Sequence, residues 1–169
     1  MSIRSGGQTG VDRAALQVAI ALGIRYGGWC PKGGWAEDSP TPPGVRAHYP
    51  LLVETPSADP RQRSAWNVRD SDATMLVAKG DSSDSPGTDF TRMCAELIFE
   101  RPVFVVRLDE RQSVTDVQRW LARRLRDNAR PTFTLNVAGP RESEIPGIAA
   151  LAAAVLREIL GIPIAREDA

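Results

Sequence analysis

Ser5-Gly6-Gly7-Gln8-Thr9-Gly10-Val11-Asp12-Arg13 is a glycine-rich turn that runs straight into a helix start. A stub of strand, Met1 to Arg4, precedes it. After it, Ala14, Ala15, Leu16, Val18, Ala19, Ile20 and Leu22 make the segment from Val11 to about Leu22 apolar nearly all round. A helix of that composition packs closely, most simply on a sheet. Backbone N–H groups at a helix N-terminus are unpaired, so the place suits a phosphate or another anion. Glycines there admit positive φ and let a ligand approach with no Cβ in the way. Strand, glycine turn and buried helix together open a nucleotide-binding type of fold. A turn made tight for purely structural reasons is the competing account of the same glycines.

Spacing excludes two better-known glycine motifs. A Walker A loop ends in Gly-Lys-Ser/Thr, and here Gly10 is followed by Val11. The dinucleotide fingerprint needs G-x-G-x-x-G and an acidic residue about 20 positions later. This chain has G-G-x-x-G, and its second strand end, Ile24 to Trp29, offers no carboxylate before Lys32. Ordinary NAD binding is therefore not expected, whereas a phosphorylated ligand is.

Composition narrows the class further. At 169 residues the chain is long enough for one domain with a proper core. Its 21 basic and 21 acidic side chains cancel, which leaves no overall electrostatic footprint for nucleic acid. Cys30 and Cys94 stand far apart without ligand spacing, so reduced thiols are expected rather than a disulfide or zinc site. No signal peptide or membrane-length apolar run is visible, and a cytoplasmic protein is expected.

Beyond the first helix, Ile24 to Trp29 reads as a strand and Cys30 to Pro50 as a long loop rich in proline, glycine and charge. Leu51 to Glu54 is a small strand. Arg61 to Asp70 is a helix with Asp59 as its cap and Pro60 at its first position. Ala73 to Ala78 is a buried strand, followed by a polar loop from Gly80 to Gly87. Thr88 caps a helix to about Glu100, and Pro102 to Val106 is a strand. Val114 to Leu125 is an amphipathic helix, Thr132 to Val137 a strand, and Ile148 to Leu160 a final apolar helix. This alternation predicts an α/β, Rossmann-like three-layer fold with a mainly parallel sheet between helices. One domain is expected over residues 1–162, with 163–169 a frayed tail.

In such folds, ligands bind at the carboxyl ends of the strands. The polar clusters that fall there are Gly6 to Gly10, then Lys32 and Gly33 with Glu37 and Asp38, then Gly80 to Thr91, and Gly139 to Ser143. Gly87-Thr88 at a helix start repeats the anion-site logic of the first turn. Asn67, Arg69, Asp70 and Asp72 either line a site before the buried strand or end the helix by ion pairing. Trp29 and Trp35 stack on a heterocycle or pack in the core or against another subunit. The single histidine, His48, has no acid or nucleophile at a recognised spacing. Cys30 reads as a buried small apolar residue.

Ser5 to Leu16, Gly28-Trp29-Cys30-Pro31-Lys32-Gly33, Ala36-Glu37-Asp38, Trp66 to Asp72 and Gly87-Thr88 together resemble the molybdenum-cofactor carrier family, over about residues 3–160. That family shares a Rossmann-like superfamily with the lysine-decarboxylase-like LOG phosphoribohydrolases and the DNA-processing protein DprA. The resemblance implies an oligomer that binds a phosphate-bearing ligand, with the molybdenum cofactor (molybdopterin) or a nucleotide as cargo. LOG enzymes carry Pro-Gly-Gly-x-Gly-Thr-x-x-Glu, whose glutamate works on an N-glycosidic bond. Here Pro86-Gly87-Thr88-Asp89-Phe90-Thr91 aligns with the end of that motif, and Thr91 stands in place of the glutamate. Threonine cannot serve as that acid near neutral pH. Binding without hydrolysis follows, unless Glu37, Asp38, Asp70, Asp72 or Asp89 supplies the carboxylate for a phosphoribohydrolase-like reaction. A sensor of a nucleotide-derived ligand is a third reading.

Motifs and resemblance together assign Gly6, Gly7, Gln8, Thr9, Gly10, Asp12, Lys32, Gly33, Asn67, Asp72, Gly87, Thr88 and Thr91 to ligand binding, with no catalytic residue and no metal ligand. Gly6 to Gly10 and Gly87-Thr88 would cradle the phosphate, with Lys32 adding charge. Val114, Val117, Leu121 and Leu125 form one stripe expected to face the sheet. Met93, Cys94, Leu97, Ile98 and Phe99 make a wider apolar surface, which predicts a homodimer or homotetramer. The alternative is that the long loop from Cys30 to Pro50 folds over that surface.

Overall fold

A computed structural model of the chain describes residues 1–80, 85–110, 114–129 and 131–161. The strands are β1 (Ser2–Arg4), β2 (Arg25–Cys30), β3 (Leu52–Glu54), β4 (Ala73–Ala78), β5 (Val103–Arg107) and β6 (Thr134–Ala138). The helices are α1 (Val11–Ala21), α2 (Pro60–Arg69), α3 (Pro86–Met93), α4 (Val114–Asp127) and α5 (Ile148–Leu160). All strand pairs are parallel, in the order β3-β2-β1-β6-β4-β5. The Rossmann-like three-layer fold is thus present.

Burial explains the sequence of each layer. Every residue of β4 is buried, which its unbroken run Ala-Thr-Met-Leu-Val-Ala reflects, since a strand covered on both faces needs no alternation. On one face, Ile3, Met75, Val77, Leu135 and Val137 pack beneath α1, α4 and α5. Val117 and Leu121 are buried there, with Val114 and Leu125 packed beside them, as the stripe predicts. On the other face, α2 packs on α3, joining Val68 to Cys94 and Ala95.

The chain lays β2 and β3 on one side of β1, then crosses to β4 and β5 on the other. It finally returns β6 into the space between β1 and β4. The carboxyl ends of β1, β6 and β4 therefore meet at the topological switch point, where such sheets bind ligands.

Two expectations need adjusting. The segment from Cys30 to Pro50 is not a plain loop: short 3₁₀ turns at Lys32–Gly34 and Gly44–Ala47 help build a second core. There Ala36, Val45 and Tyr49 close on Leu16, Cys30 and Leu52, so the segment covers α1 and the β2–β3 edge rather than α3. The helix predicted from Thr88 starts earlier, at Pro86, with Ser85 as its cap residue, and passes into a π turn over Cys94–Ile98. The expected tail at 163–169 and residues 81–84 of the polar loop lie outside the described residues. Among the described residues no helix is long and apolar enough to cross a membrane.

Candidate functional site

At the switch point lies a crevice of about 250 Å³. Its walls are the turn after β1 (Gln8, Asp12), the start of α2 (Asp59 to Arg61, Arg63, Ser64), the start of α3 (Ser85 to Gly87, Phe90, Thr91) and the strand end after β6 (Ala138, Gly139, Arg141, Glu144). Asp59 caps α2 by accepting the Arg61 N–H at 2.9 Å, with Pro60 behind it. That cap turns Arg61 and Arg63 toward the strand ends. Arg61 lies over the Phe90 ring, 5.6 Å from its centroid, and Arg141 over Trp35 at 6.0 Å. Neither arginine forms an ion pair with a carboxylate among the described residues.

Arg63 crosses beneath the first turn to Asp12, with Nη1 2.8 Å from Oδ2. A side chain at Gly6 would strike this guanidinium, so that glycine makes room for an arginine. Asp12 sits in the first turn of α1. Its carboxylate therefore occupies the positive end of the helix, the place read from sequence as a phosphate site. Burial pushes the Asp12 carboxyl above its ordinary value, while the charge and hydrogen bond of Arg63 pull the other way.

The other turn glycines are packed too. Gly7, at φ 74°, would bring a Cβ within 2.7 Å of Leu52 Cδ1 and against Val45. Gly10, at φ 77°, abuts the main chain of Pro140, Arg141 and Glu142. Positive φ and close neighbours both demand glycine here. On the side where a Cβ would stand, the turn is a packed junction, whereas Gln8 and Asp12 from the same stretch line the crevice.

Thr9 belongs to the same junction. Gln8 Oε1 accepts the N–H groups of Thr9 and Glu37, each at 3.0 Å. The Thr9 hydroxyl donates to Glu37 Oε1, and the Ser143 hydroxyl donates to Glu37 Oε2 at 2.6 Å. Burial acts to raise the Glu37 pKa, but these hydroxyl bonds outweigh it and hold the carboxyl below its ordinary value. Arg13 grips Asp38 with two nitrogens at 3.0 and 2.9 Å. Glu37 and Asp38 therefore clamp loops together rather than face a ligand.

At α3, a Cβ on Gly87 would meet nothing within 4 Å, so this face is open to the crevice. Thr91 lines the crevice and donates its hydroxyl back to the Gly87 carbonyl at 2.9 Å. Thr88 is buried below, its hydroxyl 2.8 Å from that of Ser85.

Four predicted site residues lie elsewhere. Lys32 is exposed in its 3₁₀ turn, and the Gly33 N–H donates to Glu54 Oε2 at 3.0 Å; neither lines the crevice. Asn67 is buried and bonds the main chain of Trp29 on both sides. Asp72 accepts the Thr134 N–H at 2.8 Å, at the amino ends of β4 and β6 and so across the sheet from the crevice. Asp70 accepts from Arg69 and from Trp29 Nε1, which makes it an ion-paired helix end. Trp29 packs edge-on to Trp66 with ring centroids 4.8 Å apart. Burial pushes the Cys30 thiol up to about 11, well away from reactivity.

Residues 3–160 match the model of the "Circularly permutated YpsA SLOG family". The chain belongs to that family. A solved structure described as "Putative molybdenum carrier protein" from Syntrophus aciditrophicus SB is similar, at 35% sequence identity, 94% coverage of each chain and a TM-score of 0.77. No curated protein matches. In this SLOG family member β6, the last of the described strands, lies beside β1, the first.

In this SLOG protein the crevice residues that motif reading missed are Arg61, Arg63 and Glu144, whereas Arg141 lies in the Gly139 to Ser143 cluster read at the last strand end. One signal for the first two was present. Two arginines fall at the start of a helix whose first turn holds no acidic residue, against the helix dipole. Cations kept at the wrong helix end point to a use outside helix stability.

Proposed function

We propose that this protein is a cytoplasmic carrier that binds a compact phosphorylated molecule of pterin or nucleotide type in the switch-point crevice. The observation that carries this reading is the convergence of Arg61, Arg63 and Arg141 on a crevice of about 250 Å³ beside the open Gly87. Guanidinium groups match phosphate in charge and shape; Arg61 lies over Phe90 without an ion pair among the described residues, and Arg141 acts on Glu37 only through its charge. The crevice lies just below the range of about 300–1,000 Å³ that encloses drug-sized ligands, which favours one phosphate and one ring system.

The molybdenum cofactor is the cargo that the relative's name points to. Arg61 and Arg141 would hold its phosphate and Phe90 would flank its ring. Among the described residues no group of three or more His, Cys, Asp or Glu side chains could hold a metal ion, so the metal would travel on its own pterin. Phosphoribohydrolase-type chemistry has less support: Thr91 replaces the acid, and Asp38, Asp70, Asp72 and Asp89 do not line the crevice.

The proposed assembly is a homodimer built on the end of α3 and the π turn that follows it. Met93, Leu97 and Ile98 stand 40, 75 and 55% exposed there. The Arg92–Glu96 pair in that stretch would meet opposite charges on an antiparallel second copy.

Native mass spectrometry of protein purified without added ligand tests the carrier reading. A bound phosphorylated heterocycle is expected in the wild type and absent from Arg61→Ala/Arg141→Ala. A wild type that carries none, and binds neither nucleoside monophosphates nor molybdopterin, refutes the reading.

A further inference from the structure

Glu144 is a carboxylate set among arginines, and its two oxygens are used unequally. Oε2 accepts the Ser85 hydroxyl and the Arg141 main-chain N–H, each at 2.9 Å. Two donors fill the two lone-pair directions of that oxygen. The single Ser85 proton goes to Glu144, so Thr88 must donate in turn to Ser85. A chain of hydroxyls from the first turn of α3 thus fixes the carboxylate. Oε1 has no partner among the described residues, and Glu144 lines the crevice. None of the arginines neutralises it: Arg63 is engaged with Asp12, Arg61 lies over Phe90 and Arg141 over Trp35.

A fixed carboxylate in an anion site has two consequences. It repels a second phosphate, and it accepts a hydrogen bond from any donor placed beside the first. We propose that Glu144 Oε1 receives a donor of the ligand. The crevice then selects monophosphates bearing a hydroxyl, amino or ring N–H group and rejects polyphosphate chains. This rests on the crevice being the ligand site. A sugar hydroxyl and the amino-lactam edge shared by guanine and pterin supply the same donor chemistry, and the test separates them. Thr88 is a positioning residue in this arrangement, acting through Ser85.

Glu144→Gln keeps the size of the side chain. Its amide oxygen can retain the bonds from Ser85 and Arg141, and its NH₂ then puts a donor where Oε1 accepted. Titration calorimetry compares wild type and variant with inorganic phosphate, ribose 5-phosphate, inosine 5′-monophosphate and guanosine 5′-monophosphate. Thermal unfolding checks that both proteins are folded. Inorganic phosphate is expected to bind E144Q as tightly as wild type or more tightly, because a negative charge is gone. The donor-bearing ligand is expected to bind about tenfold more weakly. An equal loss for ribose 5-phosphate puts the donor on the sugar; a loss for the guanosine ligand alone puts it on the exocyclic amine. Unchanged affinities throughout, or an equal loss for inorganic phosphate, overturn the proposal while leaving the crevice an anion site. A folded wild type that binds none of the four overturns the crevice reading and the proposal together.

Discussion

Arg63 holds the carboxylate of Asp12 through one nitrogen, Nη1 to Oδ2 at 2.8 Å, with the two side chains only 13 and 3% exposed. The pair ties α2 to α1 beneath the crevice. Removing either partner strands the other charge, which costs about 3–5 kcal/mol in a buried pair. Asp12→Asn and Arg63→Met are each expected to lose stability on that scale, and the double variant to lose less than their sum. Urea unfolding of the four proteins measures this; additive losses would mean that the two side chains do not interact.

Asn67 separates a structural role from a binding one. Its Oδ1 accepts the Trp29 N–H at 2.7 Å and its Nδ2 donates to the Trp29 carbonyl at 3.0 Å. Asn67→Ala leaves both main-chain groups short of a partner, a loss of about 2–3 kcal/mol. Ligand affinity should not move, because the side chain is outside the crevice. Unfolding and titration of the same variant decide: wild-type stability with lost binding would return Asn67 to the site.

Acid should weaken the junction of loops. The hydrogen bonds from Arg13, ahead of its charge, hold the Asp38 carboxyl below the ordinary 3.8. Asp70 is lowered in the same way, chiefly by Arg69. A carboxyl depressed in the folded state binds fewer protons there than in the unfolded chain. Its stabilisation is complete above the ordinary value and is lost as pH falls through the depressed one. Asp12, raised by burial, works in the opposite sense, losing its contribution as pH rises from 3.8 to its folded value. Asp38→Asn should flatten the loss of unfolding free energy between about pH 5 and pH 3, by an amount below about 1 kcal/mol because Asp38 is half exposed. Profiles of equal steepness from melting curves would exclude the Arg13 contact as a source.

Assembly is read directly by sedimentation. At low micromolar concentration the wild type is expected to run as a dimer and Leu97→Glu as a single chain. The substitution places a charge at a position 75% exposed in the isolated chain, so folding should survive it. A wild type of one-chain mass at every concentration removes the α3 interface.

The legible parts of the fold were those that local chemistry dictates. β4 announced itself as an unbroken apolar run, and α2 by Asp59-Pro60 at its start. The first turn was legible as a turn, but not in what its glycines face. Gly6 makes room for Arg63, and the Arg63–Asp12 pair spans 51 residues of sequence. Nothing local encodes such a meeting, because it depends on where α2 lands after the chain crosses the sheet. The second core escaped for a similar reason. Ala36, Val45 and Tyr49 are scattered through prolines and glycines, with no period to betray a common face. Motif reading found Gly87 and Thr91 on one wall and placed Arg141 at a strand end, whereas bringing Arg141 and Glu144 beside α3 needed the strand order.

The late insertion of β6 sets a clock on synthesis. Ser2 pairs beside Thr134 and Ala73 beside Leu135, so the centre of the sheet is the last strand to leave the ribosome. Without β6, the strand sets β3-β2-β1 and β4-β5 have no pairing that joins them, and any sheet either formed would have its inner edge bare and open to wrong partners. Contacts of such long range close slowly. A chain that stops short of Thr134 would therefore lack the strand that joins the two halves of the sheet, and is expected to expose both inner edges rather than fold as a smaller version of the protein.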